Sequence, residues 1–171
     1  FLADGGQDVE LFESVNGIEA RLNQNQIAGS APSSPDSVIY DSFKAEYEAK
    51  FGESADQTPY TGRAYDAAWL LIYGTAWAHY QESFQGSITG LAAARGLRMI
   101  SDPNGPEIDV GPTDWNSLRA QFELGNRVNV QGTSGELDFD PETGETSSPI
   151  DIWTMVDDGS GGITKEIVTT Y

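Results

Sequence analysis

The segment from Tyr60 to about Glu82 is the feature that most limits how this chain can fold. Apolar residues recur along it at helical spacing, and one face carries Tyr65, Ala68, Trp69, Ile72 and Ala76. Ala64, Leu71 and Thr75 widen this stripe, so the predicted helix is apolar nearly all round. A helix of this kind has to be packed on more than one side.

Other helices are predicted before and after this central one. A short helix carries Val9, Leu11, Phe12 and Val15. Ser34 and Pro35 predict the N-cap and first position of the next helix, which Gly52 ends in a left-handed cap. This helix presents aromatic and aliphatic residues at a spacing of four: Ile39, Phe43, Tyr47 and Phe51. A weaker helix covers Ser87 to Ile100, and a further one starts at Thr113 or Asp114 and buries Trp115, Leu118 and Phe122.

The predicted strands are short and mostly lack local partners. They lie at Phe1–Ala3, Ile27–Ala31, Val128–Val130, Leu137–Phe139, Ile150–Val156 and Ile163–Val168, with a loop at Asp102–Pro106. A sheet with so few strands could not cover both faces of the predicted helices. The sequence therefore predicts an α/β protein in which residues outside this chain supply some of the strands.

Composition excludes several classes of protein. The 171 residues include 27 acidic and 9 basic side chains, for a net charge of −18. Nucleic acid and anionic membranes are poor partners for such a surface, because phosphate contacts need clustered Lys and Arg. With no Cys and a single His, thiolate chemistry, zinc sites and His-dependent triads are not expected. No run of apolar residues reaches the length of a membrane span, and the first residues, Phe1 to Gly6, lack the basic region and the apolar core of a signal peptide.

Two motifs stand out, one in the closing segment and one in the central helix. The first runs from Gly132-Thr133-Ser134-Gly135 through Phe139-Asp140 to Gly144-Glu145, with Ile150 and Ile152 opening the next strand. The second is Tyr60 to Leu71, which reads Y-x-x-x-x-YDA-x-x-L-L and follows the helix of Phe43, Tyr47, Phe51 and Gly52. In their order along the chain, these blocks resemble type I periplasmic solute-binding proteins, the branched-chain amino-acid-binding-protein-like receptors of ABC importers.

The resemblance implies a fold and a division of the chain. Members have two Rossmann-like lobes joined by three crossing segments, and this chain would be a C-terminal fragment of such a fold, incomplete by itself. Residues 1–30 would end the second lobe, and residues 31–139 would form the C-terminal part of the first lobe. Residues 140–171 would hold a crossing hairpin and the last strands of the second lobe.

The resemblance also implies a function. The chain would belong to the extracytoplasmic substrate-binding component of an importer, which binds an amino acid or similar small polar ligand in a cleft between lobes. The implied partners are that ligand, the importer's membrane subunits and the missing N-terminal half. The protein would be periplasmic or otherwise extracytoplasmic, and its signal peptide would have been removed. Whether the absent N-terminus carries a lipid anchor stays open. It would not be an enzyme and would need no cofactor or metal.

Asp4 is the candidate ligand-binding residue. It follows the opening strand, where the resemblance places an acidic residue that holds the ligand ammonium. A carboxylate that accepts charge-assisted hydrogen bonds suits that task. The alternative is that Asp4 only opens the Gly-rich turn at Gly5-Gly6 or caps the next helix. The Ser/Thr cluster that holds the ligand carboxylate in the family would lie upstream of this chain.

Other groups of polar residues are expected to be structural. Counted from Asp138, the acidic residues Asp138, Asp140, Glu142 and Glu145 lack the Gly and Glu of a calcium loop and predict a hairpin turn. The acidic loop around Asp102, Asn104, Glu107 and Asp109 has no defined ligand spacing. His79 lies where a helix dipole favours a cation, and the segment Gly159–Gly162 lacks the Lys-Ser/Thr of a phosphate loop.

Two other functions stay open. A ligand-sensing receptor ectodomain or an amide-type regulator would share the fold, and a neighbouring membrane span or an operon context would distinguish it. A carboxylate-dependent hydrolase is a third possibility, since 27 acidic residues are present but no pair stands out. Turnover of an amide or a glycoside would favour that enzyme.

Overall fold

The computed structural model describes residues 9–15, 27–82, 88–160 and 162–171. Within them the chain is a mixed α/β protein with two small sheets, as expected for the class. Its helices are α1 (Val9–Val15), α2 (Val38–Phe51), a 3-10 turn (Ala55–Gln57), α3 (Thr61–Gln81), α4 (Gly90–Leu97) and α5 (Trp115–Glu123). Its strands are β1 (Ala28–Pro32), β2 (Glu107–Asp109), β3 (Asn129–Gly132), β4 (Gly135–Glu136), β5 (Ile150–Asp157) and β6 (Ile163–Thr170).

The chain forms two compact units. The first contains the described residues of Phe1–Ser34, with Tyr47–Pro59 and Ser148–Tyr171. The second contains Pro35–Glu46 and Tyr60–Ser147. The division of residues 1–30, 31–139 and 140–171 between two lobes stays a prediction.

The first unit is built on an antiparallel sheet with the strand order β1-β5-β6. β1 pairs with β5 from Ala28 opposite Thr154 to Pro32 opposite Ile150, so strands far apart in sequence share one ladder. Trp153 and Met155 on β5 are buried with Ala31, and the rings of Phe12 and Trp153 lie 6.1 Å apart. The amphipathic face of α1 therefore covers this small core.

The second unit has α3 at its centre. Its core contains Leu70 and Tyr73 of α3 with side chains from the other elements of the unit, namely Ile100, Ile108, Val110, Leu118, Phe122, Val128, Val130 and Leu137. The helices α3 and α4 approach closely where Gly74 faces Gly96, because a Cβ on Gly96 would lie 2.1 Å from the Gly74 carbonyl oxygen. The glycine that weakens α4 by propensity is thus required by its packing.

The sheet of the second unit contains a βαβ crossover. β2 and β3 are parallel, with Glu107 opposite Asn129 and Asp109 opposite Gln131, and α5 connects them. β3 then turns back on β4. Parallel strands place their carboxyl ends at one edge, so Asp109 and Gly132 mark the same edge of this sheet.

Several element predictions are confirmed and some are wrong. The helix α2 ends at Gly52 with the expected positive φ of 71°, and Gly125, which follows α5, has a φ of 74°. The predicted cap at Ser34-Pro35 is wrong: α2 starts at Val38, because the Ser37 hydroxyl accepts a hydrogen bond from Tyr40 N at 3.1 Å. Strand β2 was not predicted, since the segment around Glu107 and Asp109 reads as an acidic loop with one apolar residue. The predicted strand at Phe1–Ala3 and the Ser87 start of the weaker helix lie outside the described residues.

Candidate functional site

Asp66 connects the two motifs that carry the resemblance. It lies in the second turn of α3 and is only 2% exposed. Its Oδ1 accepts hydrogen bonds from the backbone N and the hydroxyl of Thr133, both at 2.9 Å. Its Oδ2 accepts from Ser134 N at 2.8 Å and from the Ser134 hydroxyl at 2.6 Å. The YDA helix and the Gly-Thr-Ser-Gly turn are therefore held together by one carboxyl group.

This Asp66 clamp leaves no room for side chains beside it. A Cβ on Gly132 would lie 2.6 Å from Asp66 Oδ2, and one on Gly62 would lie 2.8 Å from the Thr133 hydroxyl oxygen. That hydroxyl also lies 2.9 Å from the Gly62 carbonyl oxygen, a second acceptor for its single proton. Two glycines in the motifs are thus explained by the close approach of the helix and the turn.

The loop from Asp109 to Asp114 is fixed at the carboxyl edge of the parallel strands. The Tyr73 hydroxyl donates to the Gly111 carbonyl oxygen at 2.8 Å and accepts from Gly111 N at 2.9 Å. Val110 N continues the ladder to the Gln131 carbonyl oxygen, and Asp109 N donates to the Asp114 carboxylate at 3.2 Å. Gly111 has a φ of 131°, which side chains rarely adopt. The loop is therefore held in place by its own backbone hydrogen bonds and by the buried hydroxyl group of Tyr73.

A recess of about 190 Å³ opens beside this loop, between α2, α3 and the ends of β2 and β3. Its polar lining comes from Ser42, Glu46, Tyr65, Asp109, Thr113 and Thr133. Ile39, Phe43 and Val110 contribute apolar surface. We call this cavity the β2–β3 recess. Open α/β sheets bind ligands at the carboxyl ends of their strands, which makes it the candidate functional site of the second unit.

Burial, together with nearby negative charge, raises the pKa of two groups in the recess. Partial burial, with the nearby carboxylates of Asp114 and Glu107, raises the pKa of Asp109. Burial also raises the pKa of the Tyr65 phenol, against a hydrogen bond with Trp69 that lowers it, and Glu46 and Asp66 raise it further. Burial is the larger cause of both shifts, and the neighbouring carboxylates act in the same direction.

A second concave surface lies along α3 and is apolar. This apolar groove has a volume of about 420 Å³ and is lined by Leu71, Ile72, Thr75, Ala76, His79, Tyr80, Ile88 and Trp115. Leu71 is 61% exposed and Ile72 is 44% exposed. Within the described part of the second unit, this side of the central helix is thus left uncovered, which its apolar sequence does not favour.

The predicted site residue Asp4 lies outside the described residues, so its proposed role is unaltered. Among the described residues, no three His, Cys, Asp or Glu side chains form a group that could hold a metal ion.

In the closing hairpin, Asp140 Oδ1 accepts hydrogen bonds from Glu142 N at 2.7 Å and Thr143 N at 2.9 Å. The hydrogen bond from Thr143 N, and then that from Glu142 N, lowers the pKa of Asp140. Bonds of this pattern are typical of a turn.

The large aromatics expected in the core divide into two groups. Phe43 and Phe122 are buried, whereas Tyr65, Trp69 and Trp115 are partly buried at the edge of the core. Tyr65 and Phe43 also line the β2–β3 recess, and Trp115 lines the apolar groove. Helical periodicity identifies the face of the helix but not how far its border is covered.

The sequence pattern did not identify the Asp66 clamp or the β2–β3 recess. One signal for Asp66 was present: an acidic residue on an otherwise apolar helix has to find donors when that helix is buried. Asp109 gave no signal, because its neighbourhood depends on pairing β2 with β3 across α5. Glu46 gave none either, because it lies on α2 and reaches the recess only through tertiary packing.

No helix in the described ranges is long and apolar enough to cross a bilayer. Neither the protein-family models nor the curated proteins include a match to this chain.

Proposed function

We propose that this chain is the C-terminal part of a type I solute-binding receptor, the extracytoplasmic component of an ABC importer. In this role the protein binds an amino acid or similar small polar ligand between two lobes that close by hinge motion, and it makes or breaks no bond. Its other partners are the importer's membrane subunits. We place it in the periplasm or an equivalent extracytoplasmic compartment.

One observation carries this proposal: Asp66 of the YDA block binds Thr133 and Ser134 of the Gly-Thr-Ser-Gly block. The two blocks are 67 residues apart, and each is weak by itself. Their direct connection gives both a common structural reason to occur together, which chance similarity of two separate motifs would not provide.

The path of the chain also supports the proposal. β1 near the start and β5 near the end share one sheet, while α3 to β4 between them build the other unit. A chain that leaves one unit, forms a second and then returns is what crossing segments between two lobes require.

The uncovered side of α3 supports a further partner, the N-terminal half of the same receptor. Parallel sheets in α/β proteins are covered on both faces, and β2 and β3 provide only three paired residues. Additional strands and helices from an upstream half would extend this sheet and cover Leu71 and Ile72 of the apolar groove.

Calorimetry on the full-length receptor with a panel of amino acids tests the proposal. We expect stoichiometric binding of at least one amino acid, with no change to the ligand. Because a charged hydrogen bond contributes about 1.5–3 kcal/mol, Asp4→Asn should weaken binding roughly tenfold to a hundredfold.

Asp8→Asn, a change of the same kind in the same segment, is the matched control and should bind normally. Unchanged affinity in Asp4→Asn would return Asp4 to its role as a turn residue. Absence of binding across the panel, or release of a hydrolysed product, would overturn the receptor function itself.

A further inference from the structure

The β2–β3 recess lies inside the second unit and is formed by described residues alone. It is bordered by the carboxyl ends of two parallel strands, by the part of α2 from Val38 to Glu46 and by Tyr65 of α3. Such edges are where α/β sheets bind small molecules, because the loops that follow the strands converge there. This location is independent of Asp4 and of any transport role.

The polar lining selects the charge of a ligand. Glu46 and Asp109 contribute carboxylates, and Ser42, Tyr65 and Thr113 contribute hydroxyl groups. Among the described residues that line the recess, none is Lys, Arg or His. The net charge of −18 adds a long-range field of the same sign. A cation is therefore attracted to the recess and an anion is repelled.

The start of α5 could in principle favour the opposite charge, since a helix N-terminus attracts anions. The Asp114 carboxylate, however, lies directly before Trp115 at this end. Its Oδ2 accepts from Asp109 N at 3.2 Å, which keeps the carboxylate beside the strand end. The protein's own negative charge thus offsets the helix dipole at this position.

The recess is organised before any ligand arrives. Tyr73 and Gln131 hold the loop that carries Asp109 and Thr113, through hydrogen bonds to Gly111 and Val110. The Asp66 clamp holds Thr133 on the other side. A rigid site avoids the cost of ordering loops on binding, so even a small ligand can bind measurably.

Size and apolar surface limit the ligand further. A volume of about 190 Å³ corresponds to about six water molecules at about 30 Å³ each, which suits a molecule of about six non-hydrogen atoms. Ile39, Phe43 and Val110 offer surface to a short aliphatic stem. We propose that the β2–β3 recess binds a small aliphatic amine, with its ammonium group at Glu46 and Asp109 and its stem on the apolar side.

The test compares three probes of nearly equal shape on the full 171-residue chain: 1-butylamine, 1-butanol and butyrate. Binding is followed by NMR through the amide shifts of the loop from Asp109 to Asp114. We expect saturable shifts at millimolar 1-butylamine and at least tenfold weaker binding of the other two. Ammonium binding should also lower the pKa of Asp109, read from its carboxyl carbon shift, because an opposite charge favours the ionised form.

Asp109→Asn and Glu46→Gln should each weaken amine binding about tenfold, whereas Glu142→Gln, an exposed carboxylate in the closing hairpin, should leave it unchanged. Equal binding of all three probes, preference for butyrate, or unaltered amine affinity in both variants would overturn the proposal. Failure of this test leaves the Asp4 experiment intact, since neither that residue nor an upstream half is involved.

Discussion

At the scale of single residues, Asp66 has an environment that few side chains share. It is a buried carboxyl group that accepts four hydrogen bonds, two of them from backbone N–H groups that have to be satisfied on burial. The energetic consequence follows from the donors, because each buried donor left without an acceptor costs about 1–3 kcal/mol.

Asp66→Ala should therefore lower the free energy of unfolding by about 3 kcal/mol or more, and Asp66→Asn, which keeps one carbonyl oxygen, should lower it by less. Urea unfolding monitored by tryptophan fluorescence measures both. The control is Glu123→Ala, which removes an exposed carboxylate that pairs with Arg119 at 3.4 Å, and which should cost about 0.5 kcal/mol or less. Equal effects of Asp66→Ala and Glu123→Ala would contradict the clamp.

Asp109 should contribute to stability in a pH-dependent way, because its pKa is raised in the folded protein. Such a group binds its proton more tightly when folded, so its contribution to stability is present at low pH and is lost as the pH rises through the folded pKa. At neutral pH the ionised carboxylate is unfavourable, and Asp109→Asn should slightly raise Tm. Calorimetric scans at pH 7 and below pH 3 check this, since the gain should vanish at the lower pH. A lower Tm at pH 7 would show that the side chain stabilises the loop instead.

At the scale of elements, α4 offers two glycines with opposite roles. Gly90 opens the helix, and a Cβ there would have no heavy atom within 4 Å. Gly96 faces Gly74, where a Cβ would collide with the backbone of α3. Local propensity treats both positions alike, and only the packing of α4 on α3 distinguishes them.

Gly90→Ala should accordingly raise the free energy of unfolding by about 0.5–1 kcal/mol, and Gly96→Ala should lower it by about 1–3 kcal/mol. Chemical unfolding of both variants, side by side, measures the sign and the size. The same sign for the two substitutions would mean that α4 does not pack on α3 as described.

At the scale of the whole molecule, we expect the exposed apolar groove of α3 to affect association in solution. Leu71 and Ile72 lie on it in contact with solvent, and exposed apolar surface of this kind favours association. The chain without its proposed upstream half should therefore form concentration-dependent oligomers in sedimentation velocity.

The double variant Leu71→Gln, Ile72→Gln should shift the distribution toward monomer, with little change in Tm because both side chains are exposed. Val168→Gln, on an exposed strand of the first unit, is the control and should leave association unchanged. A wild-type chain that stays monomeric at all concentrations would show that the groove needs no partner.

The elements whose signals are local could be predicted from the sequence. The spacing of apolar residues located α3, α5 and most of α2, and the glycine at Gly52 located the end of α2. Periodicity and left-handed caps depend on neighbours within one or two turns, so they can be recognised in the sequence of a single segment.

The features that join distant segments depend on tertiary packing and could not be predicted from the sequence. Strand β2 forms because Ile108 packs in the core while the backbone of Glu107–Asp109 pairs with β3. A segment of three residues with one apolar side chain does not predict a strand by itself. The four bonds of Asp66 span 67 and 68 residues, and the β2–β3 recess brings α2, α3 and two strand ends together. Hydrogen-bond partners and cavity walls of this kind depend on how elements pack in space, and spacing along the chain carries no record of that packing.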